Sequence, residues 1–323
     1  MDFQLLIDNL TNPALLFFFL GLIAVRFKSD LEIPPTSSKF ISLYLLFSIG
    51  FKGGQELSHS SLDLEILWSV LFGITLAIAI PLYTFFIMKK KLGVFNAGAI
   101  AASYGSVSAV TFVTAVSYLE TQGIAFGGHM VAIMALMEAP SIIVGVLLIA
   151  LFNSKEASEA SDTSCSSIVK HAITNGSVFL IVGSLIIGFL ANDAQAEGIK
   201  PFTTDIFKGF LAVFLLDMGI TSGKKLETFM DNGWFSLVFA LIIPIINGVI
   251  VAVLSDFVTH SEGSRFLFTI LAASASYIAV PAAMKLAAPK ANPSLYIPMA
   301  LAITFPLNIT IGMPVYLTII RAV

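Results

Sequence analysis

Ala101-Ala102-Ser103-Tyr104-Gly105-Ser106-Val107-Ser108-Ala109-Val110-Thr111 and Ala272-Ala273-Ser274-Ala275-Ser276-Tyr277-Ile278-Ala279-Val280-Pro281 are the stretches on which the fold turns. Each places small and hydroxyl residues in the middle of a long apolar run. Ser106, Ala109 and Val110 share one offset with Ser276, Ala279 and Val280. Pro281 removes a backbone donor from the second run. A helix interrupted at such a place exposes N–H groups and the positive end of its dipole, which suit an anion. The freed carbonyls and the hydroxyls, Ser103 and Ser108 among them, suit Na⁺. Small residues also allow helices to pack closely. Two such runs at matching places favour a site over packing alone.

The surrounding composition puts these runs in a membrane. Of the 323 residues, 57% are hydrophobic and only 11% are charged, with a mean hydropathy of +0.93. A water-facing domain carries about 25% charged residues. At about 20 residues per crossing, the chain has room for roughly ten helices. Apolar runs mark them at 12–25, 39–51, 65–87, 95–118, 126–152, 175–191, 206–221, 233–255, 266–286 and 294–320. The polar, Ser-rich stretch 153–172 divides these spans five and five. The expected architecture is therefore all-α, with a first five-helix repeat over 1–152, a linker over 153–172 and a second repeat over 173–323. Five is an odd number, so the second repeat must be inverted, and spans 4 and 9 are expected to be broken and to cross at mid-membrane. Gly50 and Gly54 share their offset with Gly219 and Gly223, and Pro140 stands where Pro306 stands in the other half. Inverted repeats with interrupted helices are the mark of secondary transporters.

Basic residues give the orientation. The odd-numbered loops hold 12 lysines and arginines, and the even-numbered loops with the C-terminus hold 5. The positive-inside rule then puts the linker in the cytoplasm and both termini outside, in an inner (plasma) membrane. The chain opens without a basic n-region, so a cleaved signal peptide is not expected.

Several classes are excluded. A formal net charge of −3 does not fit a nucleic-acid binder, and the single cysteine, Cys165, cannot form a disulfide framework. The nearest approach to a phosphate loop ends Gly223-Lys224-Lys225 and has Met218 where the first glycine belongs. His129 reads as an interfacial histidine. An intramembrane enzyme would need a nucleophile and base within the spans, and none is evident, so the chain is not expected to be an enzyme or to carry a cofactor.

Among the remaining polar residues, Glu138 lies halfway along an apolar span. A carboxylate there costs about 3 kcal/mol on insertion scales, so it should face a partner or water. It is a candidate Na⁺ ligand, and a structural acid beside the Pro140 kink is the alternative. Asn308, two residues past Pro306, offers an amide oxygen to the same ion. Asp217, near the cytoplasmic end of span 7, is expected to pair with Lys224 or Lys225. No charged residue occurs between Lys91 and Glu120, between Arg265 and Lys285, or between Lys290 and Arg321. An anion here has no arginine clamp and must rely on helix ends, hydroxyls and a co-bound cation. A neutral solute would suit the same surroundings.

Gly105-Ser106-Val107-Ser108-Ala109-Val110-Thr111, Tyr118-Leu119-Glu120 and Glu138-Ala139-Pro140 resemble the sodium-dependent bicarbonate permease family. So do Ala272-Ala273-Ser274-Ala275-Ser276 with Pro281, and Ala291-Asn292-Pro293-Ser294-Leu295-Tyr296-Ile297 with Pro306 and Ile311-Gly312-Met313-Pro314. The resemblance implies ten helices divided into a gate and a mobile core, a homotrimer, and elevator-like symport of bicarbonate with Na⁺ as the coupling ion. It places the anion at Gly105, Ser106, Val107, Ser108, Ser274, Ala275 and Ser276, and adds Thr111 and Glu138 on the sodium side. It also implies a possible PII-like regulatory protein at the cytoplasmic face. The chain departs from the best-known carriers at Tyr277, where they have an acid, and at Ala109-Val110, where they have glycine-serine.

Overall fold

The computed structural model describes residues 3–59, 64–152, 176–229 and 233–323. The 153–172 linker lies outside the described residues. Among the described residues all regular structure is helical. In chain order the helices are α1 (Phe3–Leu10), α2 (Pro13–Arg26), α3 (Pro35–Ser58), α4 (Leu64–Gly105), α5 (Ala109–Thr121), α6 (His129–Phe152), α7 (Gly176–Leu190), α8 (Asp193–Lys200), α9 (Phe207–Phe229), α10 (Trp234–Leu254), α11 (Glu262–Ala273), α12 (Ala279–Ala287) and α13 (Pro293–Ala322). The apolar runs marked from sequence lie on these helices, but 95–118 and 266–286 each spread over two, and α4 carries both 65–87 and the start of 95–118. Five helical stretches are long and apolar enough to cross a membrane: Leu64–Thr121, His129–Phe152, Asp193–Leu226, Trp234–Phe257 and Pro293–Ala322.

Three features differ from the sequence reading. Lys89, Lys90 and Lys91 do not form a loop, because helix continues through them and turns only at Gly93, whose φ of 76° favours glycine. Lys89 Nζ sits 3.5 Å from the ring centroid of Phe152, a cation–π contact that holds this helix end to α6. The other two differences are the short helices α1 and α8, which no apolar run marked from sequence covers.

The helices form two groups. In one, α2 lies along α9 and α3 along α7. A Cβ at Gly21 would collide with the Leu216 carbonyl, and one at Gly54 with the Leu185 carbonyl, so glycine sets both approaches. In the other, α6 packs along α4 and α11 along α10, with α5, α12 and α13 around them.

Prolines inside these helices free carbonyls that neighbouring helices then satisfy. Pro81 frees Ala77 O, which accepts from Ser141 Oγ at 2.8 Å. Pro244 frees Ala240 O, which accepts from Thr304 Oγ1 at 2.8 Å. Pro314 frees Thr310 O, and Asn9 Nδ2 from α1 donates to it and to Ile309 O, both at 2.8 Å. Each side chain thus supplies a hydrogen bond that lipid cannot.

Candidate functional site

Two helices stop at the small-residue runs. α4 ends at Gly105, and α5 begins at Ala109 with Ser108 as its N-cap, the Ser108 Oγ accepting from Thr111 N at 3.2 Å. α11 ends at Ala273 and α12 begins at Ala279. The intervening strips bond to each other. Ser276 N donates to Ser103 O at 2.8 Å, Ser103 Oγ donates to Ser276 O at 2.6 Å, and Ser108 N donates to Ser274 Oγ at 3.1 Å. Ser103 and Ser274 therefore use their hydroxyls to join the two interruptions.

A helix that stops inside a protein leaves carbonyls without partners. At the end of α11 three side chains take them. Ser274 Oγ donates to Leu271 O at 3.0 Å, Asn247 Nδ2 to Ala272 O at 3.1 Å, and Asn308 Nδ2 to Ala273 O at 2.7 Å. Tyr316 Oη donates to Asn308 Oδ1 at 3.2 Å, and Tyr83 Oη donates to Asn247 Oδ1, so each amide is oriented by a phenol. Asn308 thus caps a helix end through its nitrogen, and its oxygen lies 3.2 Å from the Tyr316 hydroxyl, which is equally close to Pro244 O. Asn308→Ala should lower stability by about 1–3 kcal/mol, the cost of an unpaired buried carbonyl. Thermal melting of the purified protein measures that loss, and the Na⁺ dependence of the folded fraction should not move. A shifted Na⁺ dependence with unchanged melting would return the amide to the ion.

Beside the crossing lies a cavity of about 20 Å³. Its walls are Val107, Ser108 and Ala109 at the start of α5, Ser276 to Ala279 at the start of α12, Glu138 from α6 and Leu46 from α3. It has room for one water-sized guest. Two helix N-termini thus converge on one space, and a carboxylate faces the same space. The Glu138 Oε1 atom is buried and has no hydrogen-bond partner, as are Ser106 Oγ and Thr111 Oγ1.

The candidate residues therefore separate. Val107, Ser108, Ser276 and Glu138 line the cavity, whereas Ser103, Gly105, Ser106, Thr111, Ser274, Ala275 and Asn308 stand behind its walls. Gly105 faces away from it, since a Cβ there would overlap the ring of Pro81. Asp217 accepts a hydrogen bond from Ser38 rather than relying on a lysine alone. His129, the first residue of α6, is packed inside the protein at 6% exposure. Sequence reasoning passed over Leu46 and Asn247. Asn247 could have been found as a lone amide in the apolar run Ile245-Ile246-Asn247-Gly248.

Two wide clefts flank this region. One, of about 540 Å³, opens where Lys52 Nζ meets Glu120 Oε1 at 2.8 Å, between α3 and α5. The other, of about 570 Å³, is bordered by Ser38, Lys39, Asp217 and Lys224, and reaches Tyr277 and Ile278. No curated protein matches the chain. A family model described as the Na⁺-dependent bicarbonate transporter superfamily matches residues 13–321, which include both small-residue runs, the cavity and the clefts, and the chain belongs to that superfamily.

Proposed function

We propose that the chain is a secondary symporter that carries bicarbonate into the cell together with Na⁺. One observation carries this reading: the N-termini of α5 and α12 and the residue Glu138, whose Oε1 is buried without a hydrogen-bond partner, border a single small cavity. Backbone N–H groups at helix starts attract an anion, and a carboxylate in a site of low dielectric attracts a cation. In this conformation the carboxylate and the helix starts sit against each other across a space for one water-sized guest, so the walls must part to admit both ligands. Bicarbonate at the helix starts and Na⁺ at Glu138 then compensate each other, which supplies the coupling without an arginine clamp.

The packing supports an inverted repeat of five and five spans, with helices broken at 106–108 and 274–278. Pro81, Ala77 and Ser141 share one sequence offset with Pro244, Ala240 and Thr304, and each trio makes the same bond between a hydroxyl and a freed carbonyl. The α2–α9 and α3–α7 pairs exchange places under the same repeat. In this reading α2, α3, α7 and α9 are the gate. The remaining spans form a core that carries the cavity along α3, in the manner of an elevator. Ser38 and Ser42 border one cleft, Leu46 the cavity, and Ile49 and Lys52 the other cleft, so a single face of α3 serves as the rail. The basic-residue bias puts the Lys39 and Lys224 cleft at the cytoplasm and both termini outside.

Coupled binding is reciprocal, so each ligand must tighten the other. Bicarbonate should raise the melting temperature of the purified protein in Na⁺ and leave it unchanged in choline, because only a ligand that binds the folded state stabilises it. Equal stabilisation in choline would remove the coupling. Equal stabilisation by chloride in place of bicarbonate would remove the substrate.

A further inference from the structure

We infer that Tyr277 and Ile278 are the inner seal of the transport site, and that solute passes to the Lys39 and Lys224 cleft when Tyr277 swings aside. This rests on the reading of the small cavity as the site. Among the described residues, only these two border both the cavity and the 570 Å³ cleft. They lie in the non-helical strip that joins α11 to α12, where backbone bonds do not fix the side chains as they would inside a helix. Tyr277 is 8% exposed and its ring stands edge-on to that of Phe305, with centroids 6.1 Å apart. Its hydroxyl donates to the thioether of Met218 at 3.7 Å, a weak acceptor, and is also within hydrogen-bonding reach of the Ser108 side chain on the cavity wall, so swinging aside gives up that tie to the site. Ile278 is 46% exposed and presents an apolar surface to the cleft.

The opposite side is closed differently. The 540 Å³ cleft shares no wall residue with the cavity. Its nearest residue on α5 is Val116, about two turns or roughly 10 Å from Ala109. Opening that side requires the two helix groups to move and the Lys52–Glu120 pair to part. One closure is a pair of side chains, and the other is a packed interface.

The test is cysteine accessibility in membrane vesicles of both orientations. Cys165→Ser supplies the background, Ser276→Cys the reporter on the cavity wall, and Thr221→Cys a reporter on the cleft wall. The probe is the permanently charged, membrane-impermeant 2-(trimethylammonium)ethyl methanethiosulfonate. Ser276→Cys should react slowly with Tyr277 present and with Tyr277→Phe, which keeps the bulk. With Tyr277→Ala it should react at least about tenfold faster from the cleft side, the factor given by about 1.4 kcal/mol in the opening equilibrium. Thr221→Cys should react quickly in every background. Should Tyr277→Ala yield no folded protein, Ile278→Ala trims an exposed side chain and should accelerate the same reaction. An unchanged Ser276→Cys rate in the truncated variant overturns the seal. Reaction of Thr221→Cys from outside the cell would overturn the orientation and leave the seal standing. Loss of bicarbonate transport as an activity would overturn the proposed function, again without altering these rates.

Discussion

Glu138→Gln is expected to raise the Na⁺ concentration for half-maximal bicarbonate uptake about a hundredfold, equivalent to about 2.7 kcal/mol. The amide keeps the shape of the side chain and removes its charge. Two unit charges about 4 Å apart at an effective dielectric of about 20 attract by about 4 kcal/mol, so the expected loss is well within what the carboxylate supplies. The carboxylate oxygen has no partner among the described residues, so its removal leaves no donor stranded. The folded protein should therefore melt as before. Glu138→Asp, which retains the charge on a shorter stem, should recover part of the Na⁺ affinity. A Na⁺ activation curve identical to that of the parent would make Glu138 a structural acid at the Pro140 kink. A carrier driven by protons through Glu138 would instead show uptake that follows pH and is indifferent to choline replacement.

Gly105→Val is expected to abolish folded protein rather than transport alone. A Cβ at 105 would overlap Cγ and Cδ of Pro81, and a ring fixed inside α4 cannot turn away. Overpacking of a core costs about 1–3 kcal/mol even when neighbours can adjust, and here the neighbour is rigid. Gly105→Ala should already lower the melting temperature. Ser108→Ala should differ in kind, because it removes an N-cap worth about 0.5–2 kcal/mol together with one hydroxyl at the cavity. Yield and melting in detergent, read beside uptake, separate these outcomes. A Gly105→Val protein that melts normally but fails to transport would put residue 105 back at the anion.

Much of the fold was legible because apolar length is a strong signal. A helix surrounded by lipid must satisfy its own backbone, so runs of about 20 apolar residues identify themselves. α1 and α8 escaped this signal, since each is short and partly polar. The capping box of α8 was readable nonetheless: Asn192 and Gln195 stand three apart and exchange bonds across the first turn. The two interruptions were legible as runs of small and hydroxyl residues. Which side of each run faces the cavity was not, because glycine serves equally for backbone exposure and for close packing. Gly105 illustrates this by meeting Pro81. Asn308 illustrates the same difficulty for amides, which can offer oxygen to an ion or nitrogen to a helix end. Only the position of Ala273 O and Tyr316 decides between them.

The central claim is that the opposed charges of Glu138 and the two helix starts bind Na⁺ and bicarbonate as a unit. Its most direct test is uptake of labelled bicarbonate into proteoliposomes at alkaline pH, under an inward Na⁺ gradient. The account predicts accumulation above the external concentration, lost when choline replaces Na⁺ and lost again in Glu138→Gln at the same Na⁺ concentration. Accumulation that is equal in choline and Na⁺ would contradict it.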